Sequence, residues 1–220
     1  MDALRSPVNR FIVIVMELDE KSRPRRIGRP PSFDRPVALQ QAMLLFWRHG
    51  YEATSLSDLT RCLGVTPPTI YSAFGSKKGL FLEAVDLYLS GKSSPAAIID
   101  AATSAREAAL ILMDGAAVAF TGEETPPGCM LATSAISVST EAADVQAHLA
   151  AIRNGVEAHL RNRIASDIEN GSLPTTADPE ILAALTTTVI QGLSTLARDG
   201  ASRDKLRGVA RAAMAVWPQV

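Results

Sequence analysis

Between Thr140 and Gly171 the chain reads TEAADVQAHLAAIRNGVEAHLRNRIASDIENG, with Val145, Leu149, Ile152, Val156, Leu160, Ile164 and Ile168 at intervals of three or four residues. Such spacing returns apolar side chains to one face of an α-helix, so the segment predicts a single long amphipathic helix, capped by Thr140 and ended by Gly171. The alanine-rich stretches around it read the same way, with helices over about Ser104–Phe120, Cys129–Ser139, Pro179–Asp199 and Ser202–Trp217. TGEETPPG and SLPTTADPE are loops. No stretch alternates with the period of two that a half-buried strand requires, and none repeats, so the fold class is all-α.

Hydrophobic residues are 47% and charged residues 20% of the 220, a globular rather than a disordered composition. The net charge of −1 conceals an asymmetry. Residues 21–92 hold eleven Lys or Arg against five Asp or Glu, whereas residues 93–220 hold nine against fourteen. The first part suits an anionic partner and the second does not.

The basic part opens with KSRPRRIGRPP, residues 21–31, where Pro and Gly among the charges prevent a regular helix and predict an extended, mobile arm. Residues 1–20 contain one apolar run, Phe11–Met16, too short for a membrane span, and are expected to be a tail without essential function. A helix follows the caps available at Ser32–Asp34, with Pro36 in its first turn and Gly50 as its stop. A second starts after Thr54-Ser55 and runs to the Gly64-Val65 turn. Then two prolines stand side by side. With Thr66 as cap, Pro67 and Pro68 fall in a first turn whose N–H groups have no intrahelical acceptor, so the pair starts a helix, PPTIYSAF, rather than breaking one. Gly75 ends it, and Ser76 caps a fourth helix, KKGLFLEAVDLYLS. Two short helices joined by a Gly turn form a helix-turn-helix, which places its second helix in the DNA major groove.

The stretch ALQQAMLLFWRHGYEATSLSDLTRCLGVTPPTIYSAFGSKKGLFLEAV closely resembles the DNA-binding domain of the TetR/AcrR family of bacterial transcriptional regulators. The order of features matches: helix, Gly-Tyr, Thr-Ser cap, Gly-Val turn, recognition helix with Tyr and Phe, then Ser-Lys-Lys-Gly-Leu. The resemblance implies a tail and arm over 1–31, a helix-turn-helix domain over 32–78, and a helical ligand-binding and dimerisation domain over 79–220. It further implies that Thr66, Pro67, Pro68, Thr69 and Tyr71 line the groove-facing side of the recognition helix. Thr54 and Tyr71 would approach phosphates, and Lys77 would lie over the backbone. The physical reading agrees. Helix N-termini, with the hydroxyls of Thr54 and Ser76, suit phosphate oxygens, and Lys77 and Lys78 supply attraction. This recognition helix has no Arg, Asn or Gln to grip a base with two bonds. Specificity therefore falls on apolar contacts, on DNA shape, and on Arg25, Arg26 and Arg29 in the minor groove. Trp47, Leu59, Phe74 and Leu80 read as core, and Cys62 is expected to face it.

The resemblance implies a double-stranded operator, a homodimer and a small-molecule inducer as partners, and repression as the usual mode. The helices over about 179–217 carry more apolar surface than one core face requires, which self-association covers; Leu193 and Leu196 are candidates to face the partner. Cys129, at the start of an expected helix, reads first as a buried packing cysteine; it would also feel the positive end of the helix dipole, which favours thiolate, so a thiol-responsive repressor is the alternative mechanism. His148 and His159 are candidate polar handles for a ligand. A purely protein-binding helical module is the alternative of another class. Two cysteines make no disulfide framework, so a reducing cytoplasm is expected. No catalytic or phosphate-loop motif occurs, and neither an enzyme, a cofactor, a metal nor a membrane is expected.

Overall fold

The computed structural model describes residues 33–90 and 94–218. Within them lie α1 (Arg35–His49), α2 (Leu56–Leu63), α3 (Pro67–Phe74) and α4 (Lys77–Leu89). After these come α5 (Pro95–Ala101), α6 (Ala105–Ala119), α7 (Met130–Thr133), α8 (Ala143–Glu169), α9 (Pro179–Arg198) and α10 (Arg203–Ala213). Tight 3-10 turns occupy Thr140–Ala142 and Met214–Val216. The described residues contain no strand, and the fold is all-α as expected.

Local chemistry accounts for the starts of these helices. Asp34 accepts the N–H of Val37 and Pro36 sits in the first turn of α1. Ser55 and Asp58 form a reciprocal capping box at α2. Thr66 holds the extended backbone of a cap ahead of Pro67 and Pro68. Ser76 accepts the N–H of Gly79 at α4. A side chain at Gly79 would place its Cβ 2.2 Å from the carbonyl oxygen of Phe74, so glycine lets α4 begin tight against the end of α3.

The long helix predicted from Val145 to Ile168 is present, with Val145, Leu149, Leu160 and Ile164 buried. It begins at Ala143, after a 3-10 turn, and no side chain caps it. The helix expected over Cys129–Ser139 is a single turn, α7, because the following backbone serves other partners. The carbonyl of Ser134 accepts the N–H of Tyr51 at 2.7 Å, and the N–H of Ser139 goes to Glu52. α5 has no counterpart among the expected helices; Ser94 caps it and Pro95 opens it.

The first apolar cluster runs through Phe46, Trp47, Leu59, Ile70, Phe74, Leu80 and Phe81 and continues into Met130, Leu131, Val145 and Leu149. α4 thus contributes to the same core as α1–α3, and that core joins the helical body without a break. A second cluster, including Ile99, Met113, Leu160, Ile164 and Trp217, fills the body. A third, with Phe120, Leu193 and Leu206, lies between α6, α9 and α10. Leu193 is fully buried within the protomer, which corrects its expected exposure to a partner. α9 has the length and hydropathy of a membrane span, but it packs against α6, α8 and α10 and buries Thr186 and Ser194.

Candidate nucleic-acid interface

α3 has a dry side and a wet side. Ile70 and Phe74 are buried, while Thr66, Pro67, Pro68, Tyr71 and Ser72 are exposed, Tyr71 at 51%. Thr69 is half-buried, with its hydroxyl oxygen 3.0 Å from that of Thr66. One proton satisfies that contact, so the pair keeps a further O–H and free lone pairs for a ligand. The edge therefore presents two proline rings, a hydroxyl pair and a phenol, with no charge of its own. The prolines carry no N–H, and the amides of Thr69 and Ile70 bond to the Thr66 carbonyl. The start of α3 is consequently an apolar surface rather than a set of amide donors for phosphate.

The expected phosphate contacts divide. Thr54 is 1% exposed, and its hydroxyl donates to the carbonyl of Gly50 at 2.7 Å, so this side chain fixes the α1–α2 turn instead of meeting a phosphate. Ser55 beside it is exposed and caps α2. Lys77 stands at the start of α4 as expected, with its ammonium 4.4 Å from the centre of the Tyr51 ring. Partial burial pulls its pKa below the ordinary lysine value. Lys78 pairs with Asp144 on α8, tying the head to the body. Arg25, Arg26 and Arg29 lie outside the described residues.

Arg35, which sequence reasoning passed over, ties the end of α3 to α1 and α4. Its guanidinium donates to both carboxylate oxygens of Glu83 at 2.7 Å and to the carbonyl of Ala73 at 3.2 Å, and lies 4.5 Å from the centre of the Phe74 ring. One side chain thereby connects the start of α1, the end of α3 and the middle of α4. Its partners lie 38 and 48 residues away, beyond any local pattern.

Cys62 departs from expectation, whereas Cys129 takes the packing place that is one of its two expected readings. Cys62 is exposed, because Leu56, Leu59 and Leu63 define the inward arc of α2 and Cys62 lies roughly 100° round the helix from its centre. It borders a groove of about 420 Å³ with Leu45, His49, Asp58 and Arg61. Cys129 packs between the first and third apolar clusters, and the hydroxyl of Tyr88 donates to its sulfur at 3.4 Å. Burial pushes the thiol pKa up, outweighing the Tyr88 bond and the nearby Arg153, which pull it down. The four-residue α7 brings too few aligned peptides to favour thiolate. His148 is exposed, and His159 pairs on the surface with Asp100 at 2.7 Å. Among the described residues no group of three or more His, Cys, Asp or Glu is arranged to hold a metal ion.

Comparison with known proteins agrees with this geometry. Residues 38–84 match the model of the bacterial regulatory proteins of the tetR family, and residues 108–214 match a tetracyclin repressor-like C-terminal domain. The HTH-type transcriptional repressor ComR of Escherichia coli (strain K12) is 35% identical over 195 residues, covering 88% of this chain and 93% of ComR. The HTH-type transcriptional repressor BdcR of the same organism is 31% identical over 196 residues, covering 89% and 93%. The TetR family transcriptional regulator CifR, solved as a cysteine mutant complexed with 26bp double-strand operator DNA, superposes with a TM-score of 0.80 at 39% identity. That match covers 87% of this chain and all of CifR's. The chain belongs to the TetR family of bacterial regulatory proteins.

Proposed function

We propose that the protein is a homodimeric transcriptional repressor that binds operator DNA through α3 and leaves it on taking up a small molecule. The observation that carries this reading is the wet edge of α3, uncharged and rigidly backed by Arg35 and the aromatic core, in a chain 39% identical to a regulator solved on its operator. Pro67 and Pro68 meet thymine methyl groups, and the Thr66–Thr69 hydroxyl pair addresses base edges. Tyr71 reaches the phosphate backbone. Arg25, Arg26 and Arg29 follow the adjoining minor groove and supply most of the salt-dependent attraction.

The dimer forms through α9 and α10. Ile181 on α9 and Val216 in the 3-10 turn after α10 are 63% and 61% exposed and line one groove. Thr188, Gly192, Val209 and Ala212 add small or apolar surface on the exposed sides of the same two helices. An isologous contact between two such pairs covers them. The inducer is a small, partly hydrophobic compound received by the helical body. It acts by preferring the head spacing that misfits the operator. The protein works in the cytoplasm, where its DNA is. Capture of bound fragments across the host genome tests the reading. Discrete sites sharing one palindromic element are expected; fragments without a shared element would remove the basis for an operator.

A further inference from the structure

The last turn of α9 lies against the end of α1. The final carbonyls of a helix have no intrahelical donor, and a cation there also complements the negative end of the helix dipole. Arg198 supplies both. Its guanidinium donates to the carbonyls of Trp47 at 3.2 Å and Arg48 at 2.8 Å, and to the hydroxyl of Thr133 at 3.1 Å. One turn earlier the hydroxyl of the fully buried Ser194 accepts the N–H of Cys129 at 2.7 Å. The carbonyl of Gly128 accepts the indole N–H of Trp47 at 3.0 Å.

These bonds close a ring from α9 through Gly128 and Cys129 to Trp47, and back through Arg198. The ring leaves no room for a side chain at Gly128. A Cβ there would sit 2.8 Å from the carbonyl oxygen of Ser194 and 2.9 Å from its hydroxyl, and the glycine φ is +81°. α9 therefore grips α1 directly and across one bare backbone step. α1 in turn carries α3 at its other end through Arg35, about 20 Å along the helix axis.

We infer that Arg198 and Gly128 are specificity-determining residues for the half-site spacing of the operator, although they act on it only through α1. The inference rests on the dimeric, DNA-binding reading above. One side of α9 faces the second protomer and the end of the helix holds the head, so the ring, added to the shared core and the Lys78–Asp144 pair, stiffens the distance between the two α3 helices. One base pair inserted between half-sites moves them apart by about 3.4 Å and rotates one relative to the other. A rigid ring makes the dimer reject that change, and a broken one lets each head follow it.

The test uses the full-length protein and duplexes that the wild type selects from a random pool. Affinity is measured for the selected duplex, for versions with one base pair inserted or deleted between half-sites, and for a duplex with a single half-site. Wild type is expected to lose about tenfold or more on either change of spacing, a difference of about 1.4 kcal/mol. Arg198→Ala is expected to bind the selected duplex several-fold more weakly and to show a spacing penalty below about threefold. Its affinity for the single half-site should equal that of wild type. Arg198→Lys, which keeps the charge and loses the fork, should fall between them. An unchanged spacing penalty in Arg198→Ala, or equal losses on every duplex including the single half-site, would overturn the inference. If wild type selects no sequence, the DNA-binding reading fails first and this inference with it. Selection of a sequence with no preferred spacing sinks the inference alone.

Discussion

Ser55 and the two cysteines show how far single residues decide behaviour. Ser55 exchanges hydrogen bonds with Asp58 at the start of α2, and Ser55→Ala should destabilise the protein by about 1 kcal/mol. Thermal unfolding should register a fall of about 2–4 °C. Burial raises the Cys129 pKa and leaves less thiolate at any neutral pH, whereas Cys62 is exposed. Iodoacetamide on the native protein should therefore alkylate Cys62 first and Cys129 at least about tenfold more slowly, as read by peptide mass mapping. Faster labelling of Cys129 would restore the thiol-sensing alternative. The proline pair was legible because its rule is local: a missing N–H matters only beyond the first turn. Thr54 and Cys62 were not, since the side of the turn or helix that becomes buried depends on residues distant in sequence. Thr54 lies behind the Gly50 carbonyl it bonds, and Cys62 lies beside the leucines that face the core.

At the scale of elements, Arg163 and Asp167 on α8 hold the junction between α5 and α6. The Arg163 guanidinium donates to the carbonyls of Ile99 and Ala102 at 3.0 Å, and Asp167 accepts both from it and from the N–H of Ala105 at 2.6 Å. Asp167 is nearly fully buried. Asp167→Ala leaves the guanidinium and the first amide of α6 without this partner and should cost about 3 kcal/mol in denaturant unfolding. Helices with continuous periodicity, such as α8 and α9, were legible from spacing alone. The segment after α7 was not, because its residues suit a helix locally but its backbone is claimed by Tyr51 and Glu52 of the head. Short α5 was hidden for a related reason. Seven residues give too little periodicity, although Ser94-Pro95 marks its start.

For the whole molecule, the proposed function joins a DNA-reading head to a body that pairs with a second copy. Ile181→Asp places a charge on the exposed side of α9, away from the buried Leu182, Ala183 and Leu193. Sedimentation at micromolar concentration should shift from dimer to monomer while the protomer remains helical. A dimer unaffected by the substitution would move the interface elsewhere. The claim on which everything else depends is that the wet edge of α3 reads DNA. Thr69 and Tyr71 belong to that edge, whereas the core beneath it is Ile70 and Phe74. The most direct measurement is the affinity of wild type and of the Thr69→Ala, Tyr71→Ala double variant for a duplex that wild type selects from a random pool. A DNA-reading role for that edge predicts that the variant keeps its thermal stability and loses about tenfold or more in affinity for the selected duplex, with a smaller loss on random DNA from the missing Tyr71–phosphate contact. Equal affinity of the two proteins for the selected duplex would contradict it.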